Sequence, residues 1–210
     1  MICIVGADGF LGSYIQQHIL TSDITEPVLC LNHGTKSSDF SPEFINLHFD
    51  LQNEKDIAEA VNIMSAYDDI RIIFLAAVHN PDIIKRAPEE AEYINSVCYE
   101  KFLDAIKALD VKKLIYASSD TVYGESLDGF VFSENDATIP INIYGRHKLL
   151  AEEITLRHGF IVARYSYMYA PSVITRKKHF YVKKRECGFS FLGFFSTIQV
   201  RRKEAAYETP

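Results

Sequence analysis

Four cysteines in 210 residues, Cys3, Cys30, Cys98 and Cys187, are scattered without a Cys-x-x-Cys pair. That spacing excludes a paired-thiol metal or redox motif. Cys3 and Cys30 lie in apolar runs, where a free thiol behaves as a small buried hydrophobe, and a reduced, cytoplasmic setting is expected. Long hydrophobic runs are missing too. The longest late one, 189–200, is broken by polar residues and falls short of the about 20 residues a membrane span needs. The first residues carry no basic leader and no small-residue cleavage site, so no signal peptide is expected. Seven histidines, at positions 18, 33, 48, 79, 147, 158 and 179, form no His-Glu-x-x-His or comparable ligand spacing, and no metal is expected. Positive charge is in deficit: 22 Lys and Arg against 28 Asp and Glu leave −6. Nothing in that balance draws the chain to nucleic acid or to an anionic membrane, and the aromatics form no ordered platform for stacking bases. Repeats and low-complexity linkers are absent.

What is present is a chain 48% hydrophobic, enough for one substantial core. Short apolar runs expected as strands (2–5, 27–31, 44–49, 71–77, 113–117 and 160–164) alternate with helix-period segments. The helices are expected to follow position 10, to surround Ile57, Ala60, Val61 and Met64, and to run from about 88 to 109 and from 144 to 157. The run Ile72-Ile73-Phe74-Leu75 reads as a fully buried strand. Strand and helix in alternation imply an α/β fold, a doubly wound parallel sheet with helices on both faces.

Between the first strand and the first helix lies Gly6-Ala7-Asp8-Gly9-Phe10-Leu11-Gly12. A strand turning tightly into a helix presents unpaired N–H groups and a partial positive charge, which suit a diphosphate. Gly6 would permit the turn, Gly9 the close approach of a ligand, and Gly12 the packing of helix on strand. The spacing is G-x-x-G-x-x-G rather than G-x-G-x-x-G.

This pattern, with six others in order, resembles the extended branch of the short-chain dehydrogenase/reductase superfamily, the NAD-dependent epimerase/dehydratase family. Phe10-Leu11-Gly12 matches its Gly-Phe-(Leu/Ile)-Gly. Asp50-Leu51 resembles the pair that contacts adenine, and Leu75-Ala76-Ala77 the cofactor wall. Asn95 falls at a structural helix asparagine. Ser118-Ser119-Asp120-Thr121-Val122-Tyr123-Gly124 is similar to Ser-Ser-x-x-Val-Tyr-Gly, Tyr144 and Lys148 fit Tyr-x-x-x-Lys, and Arg164-Tyr165 ends the next strand. Residues 140–149 and Arg164-x-Ser166 also resemble dTDP-4-dehydrorhamnose reductases. The resemblance implies a Rossmann-type sheet holding NAD or NADP. Cofactor contacts would come from Gly6, Gly9, Phe10, Leu11, Gly12, Asn32, Asp50, Leu51, Leu75, Ala76, Ala77, Asn95, Tyr144 and Lys148.

Tyr144 and Lys148 are one helical turn apart and share a face. A lysine ammonium beside the phenol is expected to lower its pKa, so that Tyr144 moves a proton at a sugar hydroxyl. Lys148 would also bond the nicotinamide ribose, and Ser119 would donate to the reacting oxygen. Asp120, Thr121 and His79 are placed toward the substrate. Asp120-Thr121 lacks the Asp-Glu of sugar dehydratases, which leaves epimerase and reductase open. Asn32, ending the second strand, is neutral and chooses neither NAD nor NADP, and Lys36 lies near enough in sequence to meet a 2′-phosphate. The expected partners are a nucleotide-sugar substrate and a second copy in a homodimer.

The resemblance covers 1–171, read as the dinucleotide-binding domain. Residues 172–210 form a short, basic, atypical C-terminal extension: nine Lys and Arg against three Glu give +6, against −12 for the rest. Ala170-Pro171 stands where the family has Gly-Pro. Either the extension is a short substrate cap or the chain is a truncated member, a reading that favours the second. The rival to an enzyme is a cofactor-binding regulatory or inactive relative.

Overall fold

The computed structural model describes residues 1–34, 43–125, 131–166, 168 and 199–201. Lys36, Ala170-Pro171 and all of the basic extension except 199–201 lie outside the described residues.

Seven strands form one sheet in the order β3-β2-β1-β4-β5-β6-β7. They are β1 (Ile2–Val5), β2 (Val28–Asn32), β3 (Ile45–His48), β4 (Ile70–Phe74), β5 (Val111–Ser119), β6 (Ile161–Tyr165) and β7 (Gln199–Arg201). The first six are parallel. β7, drawn from the basic extension, pairs antiparallel with β6, with Ala163 opposite Val200. Strand order reverses between β1 and β4, the switch point at which such sheets open a crevice beyond their carboxyl ends.

β1 and β2 are buried along their whole length, because helices cover both faces. Side chains alternate: Cys3 and Val5 join Leu29, Leu31, Ile72 and Phe74 in the larger core, while Ile2 and Ile4 join Val28 and Cys30 in the smaller one. Helix α1 (Phe10–Leu20) covers the smaller core with Ile15 and Ile19. The larger core is closed by α2 (Glu54–Met64), α5 (Tyr99–Ala105) and α6 (Ile143–Arg157). Its centre is aromatic. The Phe74 ring lies 4.5 Å from Tyr99 and 5.5 Å from Phe102, and Tyr99 lies 4.8 Å from Tyr116. Burying one such side chain contributes about 1.5–3 kcal/mol.

Three expectations need correction. β4 ends at Phe74, not Ala77, and Leu75 to Ala77 leave the sheet to form a wall at its edge. The strand is not buried throughout: Arg71 is exposed, bound to Glu26 at 2.7 Å, and Ile73 is only half-buried. The helix expected over 88–109 runs from α4 (Pro88–Glu92) through a π-helical stretch, Tyr93–Cys98, into α5, and ends at Ala105. The widened turn falls where Asn95 reaches across to Val78, in keeping with the tendency of such turns to mark working sites. An additional helix, α3 (Pro81–Arg86), is started by Asn80, whose Oδ1 accepts from the Asp82 N–H at 2.9 Å, with Pro81 in its first turn. Among the described residues no helix is long and apolar enough to cross a membrane.

Candidate functional site

The glycine turn leans on the end of β2, the N–H groups of Gly6 and Ala7 donating to the Leu31 carbonyl at 2.9 and 3.2 Å. Gly6 has φ +82°, and a Cβ there would stand 2.9 Å from the Ala76 nitrogen. Both the left-handed backbone and the approach of the post-β4 wall require glycine. A Cβ on Gly12 would lie 2.5 Å from the Ala7 carbonyl oxygen, so this residue sets α1 against the turn. Gly9 is the N-cap. Among the described residues no side chain caps α1, and no acid stands in its first turn, which leaves the first N–H groups and the helix dipole to face a ligand.

Beyond this turn lies a cleft of about 330 Å³ at the carboxyl ends of β1, β2 and β4. Gly6 and Gly9 form one side, Leu75, Ala76 and Ala77 the opposite wall, and Asp50 and Leu51 one end. Val78 continues the wall and is clamped by Asn95. The Asn95 Oδ1 accepts from the Val78 N–H at 2.7 Å, and its Nδ2 donates to the Val78 carbonyl at 2.9 Å. The same Nδ2 lies 3.5 Å from Nδ1 of buried His147 on α6. The His147 Nε2 lies 3.6 Å from Glu92, and burial lowers its pKa against that carboxylate's pull. A chain of contacts thus runs from the cleft wall to the helix that carries Tyr144 and Lys148.

Helix α6 begins at Asn142, whose Oδ1 accepts from the Gly145 N–H at 2.7 Å. A Cβ on Gly145 would lie 2.5 Å from the Thr121 carbonyl oxygen, so the missing side chain lets α6 approach the 3₁₀ turn Asp120–Val122 after β5. Ser119 caps that turn, its Oγ accepting from the Thr121 N–H at 3.3 Å and donating to Asp120 Oδ1 at 3.2 Å. Lys148 is 3% exposed. Its Nζ donates to the Ala117 carbonyl at 2.7 Å and to the Tyr116 hydroxyl at 3.1 Å, and stands 5.7 Å from the centre of the Tyr144 ring. Burial pushes the Lys148 ammonium down to about 7, against the opposing charge of Glu152.

The expected lowering of the Tyr144 pKa does not occur. Its phenol is pushed up to about 12, by burial first and by the Asp120 carboxylate second. A half-buried phenol beside a carboxylate resists ionisation, and Lys148 directs its donors to Ala117 and Tyr116 instead.

The model of the family described as "NAD dependent epimerase/dehydratase family" matches residues 2–185. The chain belongs to the NAD-dependent epimerase/dehydratase family. It is 26% identical over 182 residues to a putative UDP-glucose 4-epimerase of Methanocaldococcus jannaschii, a match that covers 80% of this chain and 56% of that one. It is 35% identical over 98 residues to the dTDP-4-dehydrorhamnose reductase of Mycolicibacterium smegmatis, covering 47% and 29%. The fold resembles that of UDP-glucuronic acid 4-epimerase from Bacillus cereus, solved with UDP-glucuronic acid and NAD. The TM-score is 0.68 at 22% identity, over 84% of this chain and 59% of the other. The chain spans little more than half the length of the first of these relatives, and less of the second.

Within this member of the epimerase/dehydratase family, eight expected residues line the cleft: Gly6, Gly9, Asp50, Leu51, Leu75, Ala76, Ala77 and His79. His79 is exposed at the rim, with its Nδ1 3.3 Å from the Ala77 carbonyl. Gly12 is buried behind the turn. Phe10 is exposed and packs on Tyr14 at 5.2 Å, and Leu11 is half-buried on α1. Neither lines the cleft. Asn95 acts on the wall through Val78 rather than lining the cleft itself. Asn32 is 1% exposed and turned sideways, donating to Cys30 and to Asn46 on β3 at 3.2 and 3.4 Å. The sheet, not the cleft, holds that side chain. Ser119, Asp120, Thr121, Tyr144 and Lys148 gather at the ends of β5 and α6, beyond the Asn95 clamp.

Sequence reasoning missed Asp8 and His33, which line the cleft, as well as Tyr116 and Glu152. Glu152 follows Lys148 by four residues and Tyr144 by eight on one helix face, a spacing that was available to find it.

Proposed function

We propose that this chain binds a dinucleotide and acts as an NAD(P)-dependent nucleotide-sugar epimerase or reductase. The observation that supports this most is one of placement. The glycine cleft and the Ser119, Tyr144 and Lys148 group lie along the same carboxyl edge of the sheet, joined by the Val78–Asn95–His147 contacts. The turn that Gly6 and Gly9 present to the cleft and the helix behind it fit a diphosphate. Asp50 and Leu51 would meet the adenine end, and Leu75 to Ala77 the face of the cofactor. Bound there, the dinucleotide would supply the acceptor and donor of hydride at a sugar carbon.

The chain's own residues would handle the proton. Tyr144, held protonated by burial and by Asp120, is set to act as an acid toward a sugar oxygen. In the opposite direction the tyrosinate left by that transfer would take the hydroxyl proton back. Ser119 would donate to the same oxygen, and Lys148 to the nicotinamide ribose. Asp120, Thr121 and His79 would face the sugar. We place the dinucleotide-binding unit at 1–171, with the extension adding β7 to its sheet, and the whole in the cytoplasm, where Cys3, Cys30 and Cys98 stay free and buried thiols. Tyr93 and Val97, four residues apart and both exposed, together with Leu150 on the adjoining α6, mark the helix face for a second copy.

The test incubates the full chain with NAD⁺ or NADPH and UDP-, dTDP- and GDP-hexoses. Interconversion of one sugar, reduced by about 10²–10⁴-fold in Tyr144→Phe with dinucleotide binding retained, supports the enzyme. Tight dinucleotide binding with no turnover of any sugar supports the regulatory reading instead. Failure to bind either dinucleotide defeats both.

A further inference from the structure

Asn32, expected to contact the cofactor at the end of β2, is 1% exposed and turns its amide N–H groups to Cys30 and Asn46. Another group reaches that position. From the middle of the glycine turn, the Asp8 carboxylate extends over the end of β2, where its Oδ2 accepts from the backbone N–H of Gly34 at 2.8 Å. Gly34 lies two residues beyond the last residue of β2. The carboxylate therefore stands between the diphosphate cradle and the start of the loop that follows β2. An acid that bonds a ribose hydroxyl normally sits in that place, supplied by the strand itself. We propose that Asp8 supplies the carboxylate that selects a free adenosine 2′-hydroxyl, and so NAD over NADP. The inference rests on the dinucleotide reading above.

The surroundings agree in sign. Among the described residues, the cleft lining holds the carboxylates of Asp8 and Asp50 and no Lys or Arg. The His33 Nε2 lies 3.8 Å from Asp50, and 72% of the His33 side chain is exposed. A 2′-phosphate would bring further negative charge against two carboxylates, while a 2′-hydroxyl would find an acceptor. A merely structural role for Asp8 would hold Gly34 without setting the choice between the two nucleotides.

Asp8→Asn separates the two roles, because the amide oxygen can still accept from Gly34 while the charge is gone. Dissociation constants for NADH and NADPH are measured by fluorescence titration of the full chain and of Asp8→Asn. Circular dichroism confirms that the variant folds. Wild type should prefer NADH, and Asp8→Asn should shift the ratio of the two constants toward NADPH by roughly tenfold or more. An unchanged ratio, with NADH still bound, overturns the assignment of Asp8 and leaves the dinucleotide reading standing. A wild-type preference for NADPH also overturns it. Absence of binding by either nucleotide removes the dinucleotide reading and this inference together.

Discussion

Glu152 and Arg164 form a two-pronged ion pair, Nε to Oε1 at 2.9 Å and Nη2 to Oε2 at 2.6 Å, with each side chain only 1% exposed. Ser118 donates to the same carboxylate at 2.5 Å, and Arg164 Nη1 donates to the Tyr123 hydroxyl at 2.7 Å. The network fastens β5, the 3₁₀ turn, α6 and β6 to one another, one helical turn from Lys148. Its members are charged and dry, so a lone survivor is costly. Glu152→Ala should lower unfolding free energy by about 3–5 kcal/mol, and replacing both residues with apolar ones of similar volume should cost far less. Urea denaturation reads this directly. A loss below about 1 kcal/mol for Glu152→Ala would mean that Arg164 finds another partner.

Lys148 makes stability depend on pH. Its folded value of about 7 lies below the ordinary 10.5. Between those values the unfolded chain holds a proton that the folded chain has released, so stability rises with pH across that window. Below about 7 the ammonium is charged in both states and the full cost of burying it is present. Lys148→Met has no such proton. The difference in melting temperature between Lys148→Met and wild type should therefore move in favour of wild type as pH rises from about 6 to about 10. A difference flat across that range would contradict the buried, destabilised ammonium.

The Asn95 clamp ties the cleft wall to the helical layer. Asn95→Leu strands the Val78 N–H and carbonyl, at a cost of about 1–3 kcal/mol, and releases the wall formed by Leu75 to Ala77. Dinucleotide affinity should fall by about tenfold, a change read by titration with NADH.

Gly145→Ala should move α6 from the 3₁₀ turn, because the new methyl meets the Thr121 carbonyl at 2.5 Å. A stability loss of about 1–3 kcal/mol is expected. With the helix displaced, the Asp120 carboxylate no longer faces Tyr144 as closely, so the phenol should titrate at lower pH. Ultraviolet difference titration of tyrosinate checks the direction.

Much of this was legible in the sequence because the parallel sheet leaves simple marks. β1 and β2 are buried on both faces and read as unbroken apolar runs. The glycines flank a turn that nothing larger than hydrogen permits at Gly6. The Tyr144 and Lys148 pairing follows from helical spacing. What escaped was set by tertiary contacts. Asn32 ends β2 as expected, yet Asn46 on β3 draws its amide away from the cleft, and no local pattern records that. The widened turn at Tyr93–Cys98 holds Asn95 against Val78, a residue seventeen positions earlier, and helical spacing does not mark it. The phenol of Tyr144 stayed protonated because burial and Asp120 outweigh a lysine that donates to Ala117 and Tyr116. Spacing along a helix places two groups on one face and leaves their hydrogen-bond partners undetermined.

The most direct measurement is a titration of the full chain with NADH, followed by the change in nucleotide fluorescence, in wild type and in Gly9→Asp. Saturable binding in wild type that is lost in a folded Gly9→Asp protein is the expected result, because the substitution sets a carboxylate where the diphosphate would lie. No saturable signal in wild type, or equal affinity in both proteins, would contradict a diphosphate held by the first turn.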